Sequence, residues 1–237
     1  MTGAADAAGA PRTPAPSTLA VPASGYRVLA RHERFRGRMF EVFTDDVELP
    51  DGAVVRRDYV VHVGAVGVVA LDEQDRVVLV QQYRHPVTAR LWELPAGLID
   101  VAGEPLAQAA ARELAEEADL RAADWRLLTD VYTSPGCTNE VIRLFLARDL
   151  TPVPDAARYV RHEEEAGLVV RWVDLDEAVS MGLRGEISNA ACLVGVLAAA
   201  ALRARGWPRV RALDEPLDRR ALPAVTGAVP GADGDVP

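Results

Sequence analysis

Between residues 97 and 120 the chain gathers Glu104, Arg112, Glu113, Glu116 and Glu117, its densest patterned group of carboxylates. Glu116 and Glu117 follow Glu113 by three and four positions, so a helix of about 3.6 residues per turn carries all three side chains on one face. Like charges on such a stripe repel. Near a helix C-terminus the macrodipole disfavours them further, and each i,i+4 acidic pair costs roughly 0.2–0.5 kcal/mol unless something neutralises it. A divalent cation would do so; a solvated acidic face is the plainer alternative for any charge run. Arg112, one turn before Glu116, can hydrogen-bond that carboxylate and fix its rotamer.

The same helix carries a second stripe, Ala107, Ala111, Leu114 and Ala118, expected to face the core. Read outward, the segment is Leu94-Pro95-Ala96-Gly97-x6-Glu104-x7-Arg112-Glu113-Leu114-x-Glu116-Glu117-x-Asp119-Leu120. This resembles the Nudix hydrolase box. Two departures stand out: the loop from Gly97 to Glu104 is one residue longer than the family pattern, and Asp119 stands where the family ends its helix with glycine. Aspartate tolerates left-handed geometry better than most residues, though less well than glycine.

The resemblance implies an α+β fold, the Nudix α/β/α sandwich around a mixed sheet. It also implies hydrolysis of a pyrophosphate bond. Glu113 and Glu117 would be metal ligands, Glu116 a ligand or bridging ligand, and the carbonyl of Ala96 a backbone contributor, with Glu117 also counted among the catalytic groups. An all-carboxylate cluster suits Mg2+, with Mn2+ as a substitute, whereas thiolates or imidazoles would point to zinc. For the general base the resemblance points to the acidic triplet Glu163-Glu164-Glu165, with Glu164 first and Glu165 second. Glu140 is a rival. For any one of these acids a solvated surface role is the alternative.

Features outside the box resemble the ADP-ribose pyrophosphatase group: Gln82-Tyr83-Arg84, Trp92-Glu93-Leu94-Pro95, and Pro135 downstream of Leu120. They imply a small-molecule nucleoside diphosphate sugar as substrate, cleaved to AMP and a sugar phosphate. Arg84 and Arg57 are candidates to hold phosphate or ribose, and Glu93 to accept hydrogen bonds from adenine or ribose; surface ion pairs are the alternative for the arginines. Relatives in this group form homodimers by exchanging N-terminal strands, which would let Arg57 serve the other subunit. Two other functions stay open: cleavage of another nucleotide sugar or a dinucleoside polyphosphate, and a Nudix-like module that senses a nucleotide without cutting it.

The 237 residues, 49% hydrophobic, suffice for a full core. A net charge of −9 argues against a general nucleic-acid surface. Every basic residue apart from histidine is arginine, so P-loop and Schiff-base chemistry are excluded. Cys137 and Cys192 form no metal or disulfide pattern, the N-terminal stretch lacks the pattern of a secretion signal, and the apolar run 190–202 is too short to span a bilayer. The expectation is a cytoplasmic protein with no membrane role.

Four regions follow from composition and patterning: a disordered tail over 1–24, an N-terminal β-strand region over 25–63 suited to dimerisation, a Nudix domain over 64–207 and a flexible tail over 208–237. Alternation predicts strands at 26–31, 38–47 and 54–63, with Pro50-Asp51-Gly52 as a turn. Apolar runs at 64–71 and 77–82 read as a hairpin joined by 72–75. After the box come strands at 125–132, 140–148 and 168–173, then a short helix capped by Asp174 or Asp176 and a longer one capped by Ser188 or Asn189.

Overall fold

The computed structural model describes residues 25–161, 167–209 and 211–217. Among the described residues ten strands form three sheets, accompanied by three α-helices and two short 3-10 helices. β1 (Arg27–Arg36), β2 (Phe40–Glu48) and β3 (Val54–His62) make an antiparallel sheet in chain order. β4 (Ala65–Ala70), β7 (Ala96–Leu98), β8 (Leu120–Tyr132) and β9 (Val141–Pro152) make a mixed sheet in the order β7-β4-β9-β8, with β4 and β9 parallel. β5 (Arg76–Arg84), β6 (Ala89–Glu93) and β10 (Val169–Asp174) make an antiparallel sheet in the order β10-β5-β6.

The helices lie on both faces of the central sheets, as a sandwich requires. α1 (Leu106–Ala118) covers one face, packing Ala110, Leu114 and Ala118 against Val66, Val68, Phe145 and Ala147. α2 (Leu175–Leu183) and α3 (Ala190–Arg203) share the opposite core with Val69, Leu71, Leu79 and Leu144. Strands buried on both faces read as unbroken apolar runs, which is why 65–71 and 77–80 show no polar alternation. Gly195 lets α3 approach closely, since a Cβ there would come within 2.8 Å of Leu94 and 2.9 Å of Val69. Both later helices have side-chain caps: Asp174 accepts from the amides of Asp176 and Glu177, and Asn189 accepts from that of Cys192. Among the described residues no helix is long and apolar enough to cross a membrane.

Three expectations need correction. The runs at 64–71 and 77–82 do not form a hairpin ladder, because beyond a single bridge, Leu71 to Val77, β4 and β5 enter different sheets. The turn between them closes on itself, the amide of Asp72 donating to the Arg76 carbonyl at 3.1 Å, and also bonds outward, with Arg148 donating to Asp75 Oδ1 at 3.1 Å and the amide of Leu175 to the Asp75 carbonyl at 3.1 Å. On α1 the buried stripe is Ala110, Leu114 and Ala118 together with Ala109, while Ala111 is only half-buried and Ala107 lies at the margin. Glu113 and Glu117 themselves turn towards the sheet, and that rotation moves Ala111 outward. Residues 211–217, assigned to a tail, lie against the body.

That last contact centres on Arg143 of β9, only 1% exposed. Its cross-strand partner Asp130 accepts at 2.7 and 3.0 Å, and its guanidinium also donates to the carbonyls of Glu215 and Pro216. Arg211 adds a bond to Asp130 at 2.7 Å. Burial alone would raise the Asp130 carboxyl, but hydrogen bonds from Arg143 and Arg211 outweigh it and hold that group below its ordinary 3.8. A carboxylate depressed in the folded state adds stability above its unfolded value and loses it as pH falls through the folded one. Asp130→Ala should therefore lower stability by about 3 kcal/mol at neutral pH, because it leaves Arg143 buried without its anion. Denaturant melts should show that gap narrowing below about pH 4; a gap independent of pH would refute the assignment.

Candidate active site

The acidic cluster is positioned by the turn from β6 through Pro95 to β7 and by the helix that crosses it. Leu94 is buried, and the amide of Ala96 donates to Glu117 Oε2 at 2.9 Å. Glu113 lies over Gly97 so closely that a Cβ on that residue would sit 2.1 Å from its carboxyl carbon. Glycine leaves room for this approach, since any side chain would have to displace the Glu113 carboxylate. Glu113 and Glu117 are 9% and 5% exposed, whereas Glu116 faces a cleft of about 560 Å3.

Arg112 organises the outer side of the cluster. Its guanidinium donates to Glu113 Oε1 at 2.5 Å, lies 3.5 Å from Glu116 Oε2 and reaches both oxygens of Glu104 at 3.3–3.4 Å. The bond to Glu104, with the Glu113 charge, raises the Arg112 pKa despite partial burial. The longer loop therefore still delivers Glu104 to the arginine, with the left-handed turn at Gly103 (φ 79°) absorbing the extra length.

Among the described residues no three acidic, histidine or cysteine side chains already converge as a metal cage. The donor chemistry nevertheless fits a hard dication: Glu104, Glu113 and Glu116 face a single guanidinium, Glu117 is held by the Ala96 amide, and the space over Gly97 is kept open for a carboxylate. Of the expected ligands, Glu113 and Glu116 share Arg112, and Glu117 meets the backbone at Ala96. The carbonyl of Ala96 was expected to contribute to metal binding; the contact observed there is its amide, bonded to Glu117.

The other predicted residues are distributed differently. Arg84 and Glu93, read as separate substrate contacts, form a fork-to-fork pair at 2.9 and 2.7 Å, with Glu93 buried and Arg84 partly exposed. Arg57 is exposed on β3 and lines a second cleft of about 680 Å3 with Tyr59, His62, Tyr132 and Cys137, away from the cleft at Glu116. Glu140 accepts from Thr133 at 2.6 Å and lies 3.3 Å from His62 Nδ1. Glu163, Glu164 and Glu165 lie outside the described residues. Sequence reasoning missed Arg158, Tyr159 and Arg161, which border α1 just before that triplet. Only tertiary contact reveals them, since no periodicity marks an irregular segment.

A carboxylate-bearing helix laid across a glycine-containing strand of a mixed sheet is the arrangement of a Nudix domain, and the NUDIX domain family model matches residues 61–191. The chain belongs to the Nudix family and is a Nudix hydrolase of the ADP-ribose pyrophosphatase-like kind. It is 45% identical over 184 residues to an ADP-ribose pyrophosphatase of Mycobacterium tuberculosis, covering 77% of this chain and 87% of the relative. It is 32% identical over 164 residues to an ADP-ribose pyrophosphatase of Bacillus subtilis, covering 69% and 86%. A crystal structure of an ADP compounds hydrolase shares the fold at a TM-score of 0.64, with 24% identity over 77% of this chain and 97% of that one.

Gly97→Ala tests the packing of the site directly. It should destabilise the protein by about 1–3 kcal/mol, the usual penalty for overpacking, read as a lowered melting temperature. An unchanged melt would mean that Glu113 does not occupy the space over β7.

Proposed function

We propose that the protein hydrolyses the pyrophosphate bond of ADP-ribose, or of a closely related nucleoside diphosphate sugar, to AMP and a sugar phosphate. The observation that carries this reading is the fixing of Glu117 by the Ala96 amide beside Glu113 over Gly97, which presents two carboxylates from one rigid helix edge. The substrate follows from the two ADP-ribose pyrophosphatases that resemble most of the chain.

Glu113, Glu116, Glu117 and the Ala96 carbonyl would hold Mg2+, with Mn2+ as a substitute; bound there, the ion would offset phosphate charge and make water a better nucleophile. Arg112 restrains the carboxylates between turnovers, and Glu104 holds Arg112. Glu164 or Glu165 supplies the base, with Glu140 less suited because Thr133 already donates to it. Arg57, which lines a separate cleft, would serve the other subunit's site in a homodimer, and the Arg84–Glu93 pair orders the rim beside β6. The exposed Phe35, Met39, Phe40 and Val54 on or beside that sheet support a homodimer built through it. The protein works in the cytoplasm.

Purified protein supplied with ADP-ribose and Mg2+ should release AMP, and faster than from other nucleotide sugars or dinucleoside polyphosphates tested side by side. Losing a partner of a metal ligand commonly costs about 10–100-fold, so Glu117→Gln, which removes a ligand itself, should cost at least that while circular dichroism stays unchanged. Full activity in that variant would exclude Glu117 from the site.

A further inference from the structure

Asp119 and Arg161 make a contact that the box chemistry leaves unused. Asp119 follows α1 in the left-handed conformation (φ 54°, ψ 36°), where its amide caps the Leu114 carbonyl. Glycine is the unstrained residue at such a position, so aspartate there brings strain together with a side chain. That side chain accepts from Arg161 Nη2 at 2.8 Å, while Arg161 Nε donates to the carbonyl of Glu116 at 2.9 Å. One guanidinium thus meets a carboxylate and a terminal helix carbonyl, the two groups at a helix C-terminus that most favour a cation.

The surrounding contacts converge on the same residue. The amide of Val153 donates to the Asp119 carbonyl at 2.8 Å. Arg158 Nε lies 4.0 Å from Asp119 Oδ1, a buried oxygen with no hydrogen-bond donor among the described residues. The segment leaving β9 is therefore fastened to Asp119 at its start and, through Arg161, at its end. Between those points it presents Arg158 and Tyr159 as one wall of the 560 Å3 cleft, facing Arg112 and Glu116 on α1. Both side chains are about half exposed, and Arg158 Nη2 also pairs with Asp155 Oδ1 at 2.9 Å, a highly exposed carboxylate that an anionic ligand could displace.

We propose that Asp119 and Arg161 form a positioning pair that fastens the segment 153–161 to the end of α1, holding Arg158 and Tyr159 across the cleft from Glu116 to bind the sugar-phosphate half of a nucleoside diphosphate sugar. A guanidinium suits the phosphate oxygens and a phenol hydroxyl suits the sugar hydroxyls. The identity of the ligand rests on the hydrolase reading above; the fastening does not.

The informative variant is Asp119→Gly, because glycine keeps the left-handed cap without strain and so removes the side chain alone. With saturating Mg2+, Asp119→Gly and Arg161→Ala should each raise KM for ADP-ribose about tenfold with kcat within about threefold, and the double variant should be no worse than either single one. Arg161→Lys should recover part of the KM, and Mn2+ affinity should match the wild type throughout. Amide exchange over 154–161 should quicken in both single variants. Unchanged KM in an active enzyme, additive effects, or a loss confined to kcat would each overturn the proposal. A wild type that cleaves no nucleoside diphosphate sugar would overturn the hydrolase reading and the ligand named here, and the exchange comparison would still decide whether the pair fastens the segment.

Discussion

The catalytic half of the molecule depends on one electrostatic constraint: several carboxylates must be held close together on a helix whose C-terminal dipole opposes them. Three donors make this tolerable. The Ala96 amide takes Glu117, the Arg112 guanidinium takes Glu113 and Glu104, and Arg161 covers the helix end beside Glu116. Arg112 belongs to the helix itself, whereas the Ala96 amide and Arg161 come from other elements, so the helix acquires those two donors only in the assembled fold. The sheet around β7 is therefore a source of hydrogen-bond donors as much as a hydrophobic support.

The layering serves that arrangement. β4 and β5 are buried on both faces, so the helix that crosses β7 rests on a close-packed base. The small side chains of Ala110 and Ala118, with Leu114 between them, bring α1 close enough for Glu113 to meet the backbone at Gly97. The β1–β3 sheet joins this body through β3, where the Val60 amide donates to the Cys137 carbonyl and Asn139 bonds back. That junction forms the second cleft, which the box residues do not line.

Much of this was legible because it is local. The three-and-four spacing of Glu113, Glu116 and Glu117, the caps at Asp174 and Asn189, and the apolar runs of β4 and β5 each follow from periodicity within one element. Partner choice was less legible. Residues 64–71 and 77–82 look like a hairpin in sequence, yet their turn bonds to β9 and α2, and no pattern within ten residues could reveal that. The Arg84–Glu93 pair was read as two separate contacts because the β5–β6 register does not make them opposite neighbours, Arg84 lying across from Ala89 and Glu93 across from Val80, so the long arginine has to reach along the sheet. Residues 211–217 have the composition of a tail, and only the buried Arg143 explains why they pack.

The Arg143 network has a consequence for how the chain acquires its shape. The sheet partner Asp130 is already made when residue 143 is synthesised, but two of the guanidinium's acceptors are the carbonyls of residues 215 and 216. A ribosome-bound chain that has finished β9 therefore holds a half-satisfied cation inside its central sheet until residues 215 and 216 emerge.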